Sequence, residues 1–580
     1  MTRHGTAVAL VAALAIAASS WALTRHQRGS AATEPRERSE PAQRRVSERA
    51  GESEGRGPVD CSDQLLPPRE VRGQKVGPSS CQMTEARITY DGRAYKRVDV
   101  GLDGTVDGFA AKVGDYKDYF TNGPDLLFPQ TWGPRQVFFG VAKYERAKGA
   151  SMVIVYPADA SAWNGRMFVH VHGRGRSFKE GNLRAWDKNF DPASPVGDLD
   201  RYERLMLSKG YVLVHTNRTS SEGLGEITAT LEDGTTVDSV AFNDTAKYIL
   251  DFGELAKSMV TTRLGKAPVH VYFYGHSAGA RIGHSLNYTP GLDVGRDGKR
   301  FFDGLLNDDP AAGTWYPVVM KDGRDVLLTT PESKAAFVPQ IDVAHQQYNN
   351  IWPPQHPPWM SSSYLENKRN NARILKEKGI SNYRMYEVRG TSHSGGEGLP
   401  DTLQKGPLEN IDVSKLMDRF IDILDAWVDS GVTPPPTHSD DAALEAEPAL
   451  AMPEIACPLG VYYGYPNSTA GATAFAAFTG TGIEPLDGND VFVDMNHDGV
   501  WDYRETPTQA WRRLGLLQPG ETLTRERYVS CVTSAANKLR DEGFFSPKTA
   551  ADYAQKAQAT DLLPKQDTTV VIHKKRGEGG

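Results

Sequence analysis

The sequence predicts an α/β fold in which a mostly parallel, doubly wound sheet is covered by helices on both faces, and two observations carry this prediction. Short runs of β-branched and aromatic residues alternate with helical patterns over most of the chain. The second observation is an abrupt strand-to-helix junction, HVYFYGHSAGARIGHSLNY at 270–288. Right-handed crossovers between parallel strands bring their carboxyl ends to one edge of the sheet, where we expect the active site.

The elements follow one another in a regular order. Apolar and aromatic runs predict strands over 136–146, 149–160, 165–175, 210–219, 270–275, 301–308, 335–344 and 383–390. Apolar residues at helical spacing predict helices over 200–210, 240–265, 278–288, 364–379 and 411–431. The alternation of the two patterns is typical of a parallel sheet with crossover helices.

The first residues of the chain predict export. Residues 1–22 have a basic start, an Ala-rich apolar run and a small-x-small cleavage site, which is the pattern of a signal peptide. The alternative is an uncleaved membrane anchor, and only in that case do we expect contact with a membrane. Residues 23–58 are polar and charged with few large apolar residues, which predicts a disordered linker. The expected location is therefore secreted or extracytoplasmic.

Composition divides the rest of the chain. We expect a catalytic domain over 59–435, a Pro-rich acidic linker over 436–452, a smaller C-terminal segment over 453–560 and a charged tail over 561–580. The net charge of −7 gives no reason to expect a nucleic acid as partner.

The four cysteines fit an exported chain, because disulfides persist in oxidising compartments. Four cysteines allow three pairings. Proximity in sequence favours Cys61 with Cys81 and Cys457 with Cys531.

The strand–turn–helix at 270–288 contains G-x-S-x-G, the pattern of the nucleophile elbow of α/β-hydrolases. A turn this tight tolerates only small neighbours, and Gly275 and Gly279 meet that demand around Ser277. The backbone N–H of Ala278 would lie at a helix N-terminus, where it can stabilise an oxyanion. We therefore predict that Ser277 is a nucleophile.

A serine nucleophile needs a base, which in this fold follows the last strand. His393 comes directly after the strand predicted at 383–390, whereas His345 and His356 precede that strand. His393 is therefore the predicted base.

The carboxylate that orients the base has three candidates in the sequence. Asp309 follows the strand at 301–308 and is preferred over Asp342, which lies within the next predicted strand, and over Asp308.

A second oxyanion donor is expected after the third strand of the fold, where the sequence HVHGRGRS offers the N–H groups of Gly173, Arg174 and Gly175. His170 and His172 share one face of that strand. We interpret them as structural, because no third metal ligand is near in sequence.

DMNHDGVWDYRE at 494–505 matches the complete loop pattern of an EF-hand. The predicted ligands are Asp494, Asn496, Asp498, the carbonyl of Val500, Asp502 and Glu505. Oxygen ligands in this number suit Ca²⁺, and the strand-like flank before the loop indicates an isolated structural site. We expect this Ca²⁺ as a structural ion and no cofactor for catalysis.

Four stretches resemble a known family: 272–306, YRMYEVRGTSHSGG (383–396), IACPLGVYYGYP (455–466) and YVSCVTSAANKLRDEGFFSPKTAADY (528–553). They are similar to the bacterial, secreted "α/β hydrolase domain-containing" family from about Arg87 to Ala559. The resemblance implies an α/β-hydrolase fold, a serine esterase with Ser277 and His393 in its site, and a C-terminal segment that folds back on the core and here carries the EF-hand-like calcium loop. The family's acid is a glutamate after the penultimate strand, where this chain reads AHQQYNNIW (344–352).

The sequence thus predicts an exported serine hydrolase that cleaves carboxylic esters, with a small-molecule or polymer ester as substrate. One alternative is a serine peptidase or amidase of the same fold, since the same groups cleave amides. The other is a catalytically inactive, calcium-dependent binding or surface protein, because the carboxylate after the penultimate strand is missing.

Overall fold

The computed structural model describes part of the chain, in segments that cover most of the predicted elements. The described residues are 58–71, 74–105, 113–115, 135–138, 143–144, 152–172, 199, 201–216, 227–231, 236–239, 242–288, 291–310, 320–321, 324–325, 328–346, 364–391, 413–462, 483–485, 500–501, 508, 511–512, 514–560 and 574–575. The predicted signal peptide and nearly all of the predicted linker at 23–58 lie outside them.

Within these segments, eleven strands form a central sheet. They are β1 (Val59–Asp60), β2 (Ser80–Tyr90), β3 (Arg93–Thr105), β4 (Lys143–Tyr144), β5 (Met152–Pro157), β6 (Arg166–His172), β7 (Val212–Thr216), β8 (His270–His276), β9 (Gly304–Asp308), β10 (Gln340–His345) and β11 (Tyr383–Val388). Their order across the sheet is β1-β2-β3-β5-β7-β6-β8-β9-β10-β11, and β4 pairs with β3.

The six strands from β7 to β11 across the sheet are parallel, and β5, β3, β2 and β1 continue it antiparallel. Strand β6 is inserted between β7 and β8, so the chain reverses its winding direction there. The predicted mostly parallel sheet is confirmed. Its carboxyl edge therefore collects the residues that follow β6, β8, β9, β10 and β11.

Small strand groups lie outside the central sheet. One has the order Thr236–Ser239, Ile227–Leu231, Arg135–Phe138, Val113–Asp115, and four two-stranded pairs are Arg69–Val71 with Gln74–Val76, Met320–Lys321 with Arg324–Asp325, Gly460–Tyr462 with Ile483–Pro485, and Val500–Trp501 with Lys574–Lys575.

The described helices are α1 (Arg201–Ser208), α2 (Phe242–Leu264), α3 (Ala278–Tyr288), α4 (Pro331–Ala335), α5 (Tyr364–Glu377), α6 (Ser414–Ser430), α7 (Pro453–Ala456), α8 (Arg525–Asp541) and α9 (Pro547–Ala559), with 3₁₀ turns at Ser62–Gln64, Ala160–Ala162 and Ala442–Leu444. Among these segments, no helix is long and apolar enough to span a membrane.

Both faces of the sheet are buried, as a parallel sheet requires. Along β8, Val271 and Phe273 belong to one apolar core, and Tyr272 and Tyr274 belong to the other. Helices α2 and α3 cover the first face, and α1, α6, α8 and α9 cover the second. The described part of the C-terminal segment therefore packs on the same face as α6, where Phe544 contacts Tyr386 edge to face at a centroid distance of 5.0 Å.

Three sequence predictions differ from the structure. The run predicted as one strand over 136–146 is described as Arg135–Phe138, in the four-stranded group, and Lys143–Tyr144, which pairs with β3. The strand predicted over 335–344 is shorter: Thr330 and Ser333 form a capping box that begins α4, and β10 starts only at Gln340. The stretch predicted as a linker, 436–452, lies along β11. The N–H of Glu387 donates to the carbonyl of His438, and the N–H of Leu450 donates to the carbonyl of Glu387. Composition predicted neither the capping nor the pairing.

Both disulfides join the cysteines that proximity favoured. Cys61 bonds to Cys81, and Cys457 bonds to Cys531, with Cα–Cα distances of 4.9 and 6.0 Å. The first links β2 to the segment before it, and the second links α8 to the end of α7.

Candidate active site

The predicted elbow has the backbone geometry of a strained turn. Strand β8 ends at His276, α3 begins at Ala278, and Ser277 between them has a φ of 59°, in the left-handed region that costs a non-glycine residue energy. The turn is also tight, because a Cβ on Gly275 would lie 2.7 Å from the backbone N of Ala280. The glycine is therefore required for the helix to start this close to the strand.

Strand register brings the neighbouring strand ends level with Ser277. His172, the last residue of β6, is paired with His276, and His276 is paired with Asp308 at the end of β9. The N–H of Ser277 donates to the carbonyl of Asp308 over 2.9 Å. Strand β6 thus ends beside the elbow, and Gly173, Arg174 and Gly175, which follow it in sequence, lie outside the described residues. Ala278 is the first residue of α3, so its N–H belongs to the helix N-terminus.

Asp308 is the centre of a buried hydrogen-bond cluster at this edge. Its carboxylate accepts from His276 Nδ1 at 2.9 Å, from His345 Nε2 at 3.0 Å and from the hydroxyl of Tyr274 at 3.4 Å. Burial alone would raise the pKa of the Asp308 carboxyl, but the hydrogen bonds from the two histidines hold it well below its ordinary range. Asp308 therefore stays ionised although it is fully buried.

His345 precedes β11, as the sequence indicated, and it ends β10 at the carboxyl edge of the sheet. Its Nε2 lies 3.0 Å from Asp308, and its Nδ1 lies 2.7 Å from Oγ1 of Thr391. Both ring nitrogens are engaged, so neither is available to take a proton from a serine. His345 instead connects the ends of β9 and β10 to the segment after β11. His393 follows Thr391 by two residues and lies outside the described residues.

Asp309, the preferred acid, lies directly after β9 and is fully buried. Its φ of 46° turns the chain sharply there. Its Oδ1 accepts the N–H of His345 at 2.9 Å and also contacts Nζ of Lys368 on α5. The carboxylate is thus held at the same edge as Ser277, in an ion pair that the sequence did not predict.

Asp342 lies in the middle of β10 and not at its end. Its carboxylate accepts from His284 Nε2 at 2.9 Å, from the hydroxyl of Tyr383 at 3.0 Å and from Asn307 Nδ2 at 2.9 Å. These partners come from α3, β11 and β9. The network stabilises the packing of α3 on the sheet, below the edge that carries Ser277.

The predicted calcium loop is described only at Val500 and Trp501, which form a short strand paired with Lys575 and Lys574. Asp494, Asn496, Asp498, Asp502 and Glu505 lie outside the described residues.

Residues 164–555 match the model of a family described as "Alpha/beta hydrolase domain". No curated protein matches the chain.

Solved structures similar to the chain include three hydrolases at low identity. Carboxyl esterase 2 from Tuber melanosporum is 13% identical over 52% of this chain and 81% of its own, with a TM-score of 0.25. The poly(3-hydroxybutyrate) depolymerase from Bordetella parapertussis is 14% identical over 58% and 94%, with a TM-score of 0.26. Esterase 2 from Thermogutta terrifontis is 14% identical over 48% and 89%, with a TM-score of 0.27.

Proposed function

The chain belongs to the alpha/beta hydrolase domain family, and from this premise we propose that it is an exported serine hydrolase that cleaves carboxylic esters. One observation carries the proposal: Ser277 has a φ of 59° between a strand end and a helix start, in a turn that requires Gly275. A fold holds a serine in such a backbone only where the surroundings enforce it, and strain of this kind concentrates at functional sites. The G-x-S-x-G pattern supports the same role.

In the first half of the proposed reaction, Oγ of Ser277 attacks the carbonyl carbon of the ester. His393 takes the hydroxyl proton as general base, and a tetrahedral oxyanion forms. The C–O bond to the alcohol then breaks while His393 returns the proton to the leaving oxygen. The product of this half is an acyl-serine and a free alcohol.

In the second half, His393 takes a proton from water, and the resulting oxygen nucleophile attacks the acyl-serine. The second tetrahedral intermediate collapses to the carboxylic acid and restores the Ser277 hydroxyl with the proton from His393. Asp309 is the proposed carboxylate that orients the imidazole, with Asp342 as the alternative. The position of Asp309 after β9, beside the elbow, supports this order of preference.

The oxyanion needs N–H donors that are fixed before the reaction. We assign this role to the N–H of Ala278 and to one N–H among Gly173, Arg174 and Gly175. The register of His172 with His276 supports the assignment, because it places the end of β6 beside the elbow.

Covalent labelling tests the nucleophile most directly. A fluorophosphonate should label the wild-type protein and should not label Ser277→Ala. Hydrolysis of a nitrophenyl acyl ester should fall by at least about 10³-fold in Ser277→Ala and in His393→Ala. His356→Ala is the matched control, since this histidine has no proposed role. Absence of labelling in folded, calcium-loaded protein would favour the inactive binding protein instead.

Substrate class is tested by comparing nitrophenyl esters with peptide anilides at equal concentration. We expect turnover of the esters only, because nitrophenoxide leaves the tetrahedral intermediate as an anion, whereas the nitrogen of an anilide must be protonated before its C–N bond breaks. Faster turnover of the anilides would favour the peptidase alternative.

We also propose a structural Ca²⁺ site at 494–505 and export of the chain. The complete EF-hand loop pattern supports the first, and the two disulfides support the second. Calcium should raise the melting temperature of the wild-type protein, and Glu505→Gln should remove that response, because Glu505 is the proposed bidentate ligand. An equal calcium response in both proteins would exclude a site at this loop.

A further inference from the structure

A second buried cluster consists of side chains that can bind a metal. It lies between β6, β7 and α1, on the opposite side of β8 from Asp308 and β9. Its members are His170, Glu203 and His215, whose potential ligand atoms all lie within 4.8 Å of one another. Within the described segments, no other group of three such residues meets this criterion. All three are buried, with exposed fractions of 0%, 0% and 1%.

Strand register explains how the histidines meet. His170 on β6 is paired directly with His215 on β7, so both imidazoles project from the same face of neighbouring strands. Their ring centroids are 4.8 Å apart. Helix α1 covers this face and brings Glu203, from its first turn, over both rings.

The donor atoms converge on one point. Nδ1 of His170 lies 2.5 Å from Oε1 of Glu203, and Nδ1 of His215 contacts the same oxygen. Two imidazole nitrogens and one carboxylate oxygen are a ligand set that Zn²⁺ uses, with ligands about 2.0–2.2 Å from the metal. In a tetrahedral site such atoms are roughly 3.4 Å apart. Each distance from an imidazole Nδ1 to Oε1 of Glu203 would therefore have to increase by only about 1 Å.

We propose that His170, Glu203 and His215 form a buried site for one Zn²⁺ ion that joins β6, β7 and α1. A dication bound here would offset the cost of taking the Glu203 carboxylate out of water. This site is structural in role, and it shares no residue with the calcium loop or with the proposed catalytic residues.

The position of the site gives it an influence on the proposed active site. His170 lies two residues before the end of β6, from which the proposed oxyanion loop departs. The hydroxyl of Thr216 donates to the carbonyl of His170 at 3.0 Å, which is a second link between the two strands. On the other side, Tyr274 of β8 packs against His170 at a centroid distance of 4.5 Å. Zinc binding therefore holds the strand that carries the loop.

The test is the zinc content of untagged, full-length protein dialysed in excess Ca²⁺, which keeps zinc out of any calcium loop. We expect about one zinc ion per chain and a lower melting temperature after removal by 1,10-phenanthroline. Replacement by Co²⁺ should give the visible absorption bands of a low-coordinate cobalt site. Neither readout depends on hydrolase activity. The zinc site can therefore be disproved while the proposed esterase function stands, and the esterase function can be disproved while the zinc site stands.

The matched variant is His215→Asn, in which the side-chain amide keeps an N–H donor near the position of Nδ1 but is a poor zinc ligand. Zinc affinity should fall by more than about tenfold. His284→Asn is the control, because His284 is also a buried histidine bound to a carboxylate, that of Asp342, but belongs to no three-residue group of this kind among the described residues. It should keep its zinc. If His215→Asn does not fold, the zinc content and cobalt spectrum of the wild-type protein decide. Zinc below about a tenth of an ion per chain, with no change in melting temperature on adding Zn²⁺, would show a hydrogen-bonded triad only and overturn the proposal.

Discussion

Asp309 and Lys368 form a buried ion pair at the carboxyl edge of the sheet, one residue beyond the carbonyl that accepts the N–H of Ser277. Their side chains are 0% and 4% exposed. Asp309 could orient a catalytic histidine, or it could only neutralise Lys368. The two roles differ in whether activity returns when Asp309 and Lys368 are both replaced.

The first prediction separates these two roles. Asp309→Asn leaves Lys368 charged and buried, so the free energy of unfolding should fall by about 3–5 kcal/mol. The double variant Asp309→Asn, Lys368→Met should recover most of that loss in chemical denaturation. Its ester hydrolysis should nevertheless stay about 10³–10⁴-fold below wild type, because the imidazole has lost its carboxylate partner. Recovery of both stability and activity would assign Asp309 to the lysine alone, and Asp342→Asn would then be the variant to measure.

The second prediction concerns the strain at Ser277. Ser277→Gly removes roughly 1–2 kcal/mol of left-handed strain and adds about 0.5–1 kcal/mol of backbone entropy cost. The free energy of unfolding should therefore rise by up to about 1.5 kcal/mol while activity is lost. Ser277→Ala is the matched control, since it also abolishes the chemistry but keeps the strain. Glu445→Gly, at a φ of 50° far along the chain, should stabilise the protein without loss of activity. Equal stability of the alanine and glycine variants at 277 would contradict this account.

The third prediction concerns the contribution of Asp308 to the pH dependence of stability. Hydrogen bonds from His276 and His345 outweigh burial and hold the folded-state pKa of Asp308 below its unfolded value. The unfolded chain then binds more protons in acid, so this contribution to stability is present above about pH 4 and is lost as the pH falls. Asp308→Asn should make the fall in stability below pH 4 shallower by up to about 1.4 kcal/mol per pH unit. Denaturant titrations at several pH values measure the slope.

Asp293 provides the control of opposite sign. Burial raises the pKa of Asp293 to about 7, although Arg300 lowers it in part. The folded state then binds the proton more tightly, so this residue lowers stability as the pH rises from about 4 towards 7. Asp293→Asn should flatten the stability profile in that range and not below it. If Asp308→Asn and Asp293→Asn changed the pH profile of stability in the same pH range, the pKa directions given for both residues would be wrong.

The fourth prediction tests whether residues 436–452 are docked on the sheet edge. Leu450 is 2% exposed. Its N–H donates to the carbonyl of Glu387 in β11, and its carbonyl accepts the N–H of Arg389, the residue directly after β11. Leu450→Ala should lower the free energy of unfolding by about 2–5 kcal/mol. Leu514→Ala, at a leucine that is 39% exposed, should change it by less than about 0.5 kcal/mol. A freely moving linker would give the two variants the same small effect.

Local pattern was sufficient for much of the fold. The strand runs and helical periodicity predicted the elements of the sheet from β5 to β11, and G-H-S-A-G predicted a tight turn that the positive φ of Ser277 confirms. Pattern failed where long-range pairing decided the structure. The segment 436–452 has a linker's composition, yet it pairs with β11 because that edge strand offers unpaired N–H and C=O groups.

The sequence by itself determined the α/β class and the elbow at Ser277, because both depend on local residue patterns. It favoured the observed cysteine pairing only by proximity, since Cys457 and Cys531 are 74 residues apart. Only the tertiary structure decided that His345 joins Asp308, that Lys368 joins Asp309 and that His170, Glu203 and His215 converge. These contacts depend on which strands become neighbours and in what register. Strand order is set by the packing of the whole sheet, and periodicity along one strand carries no information about it.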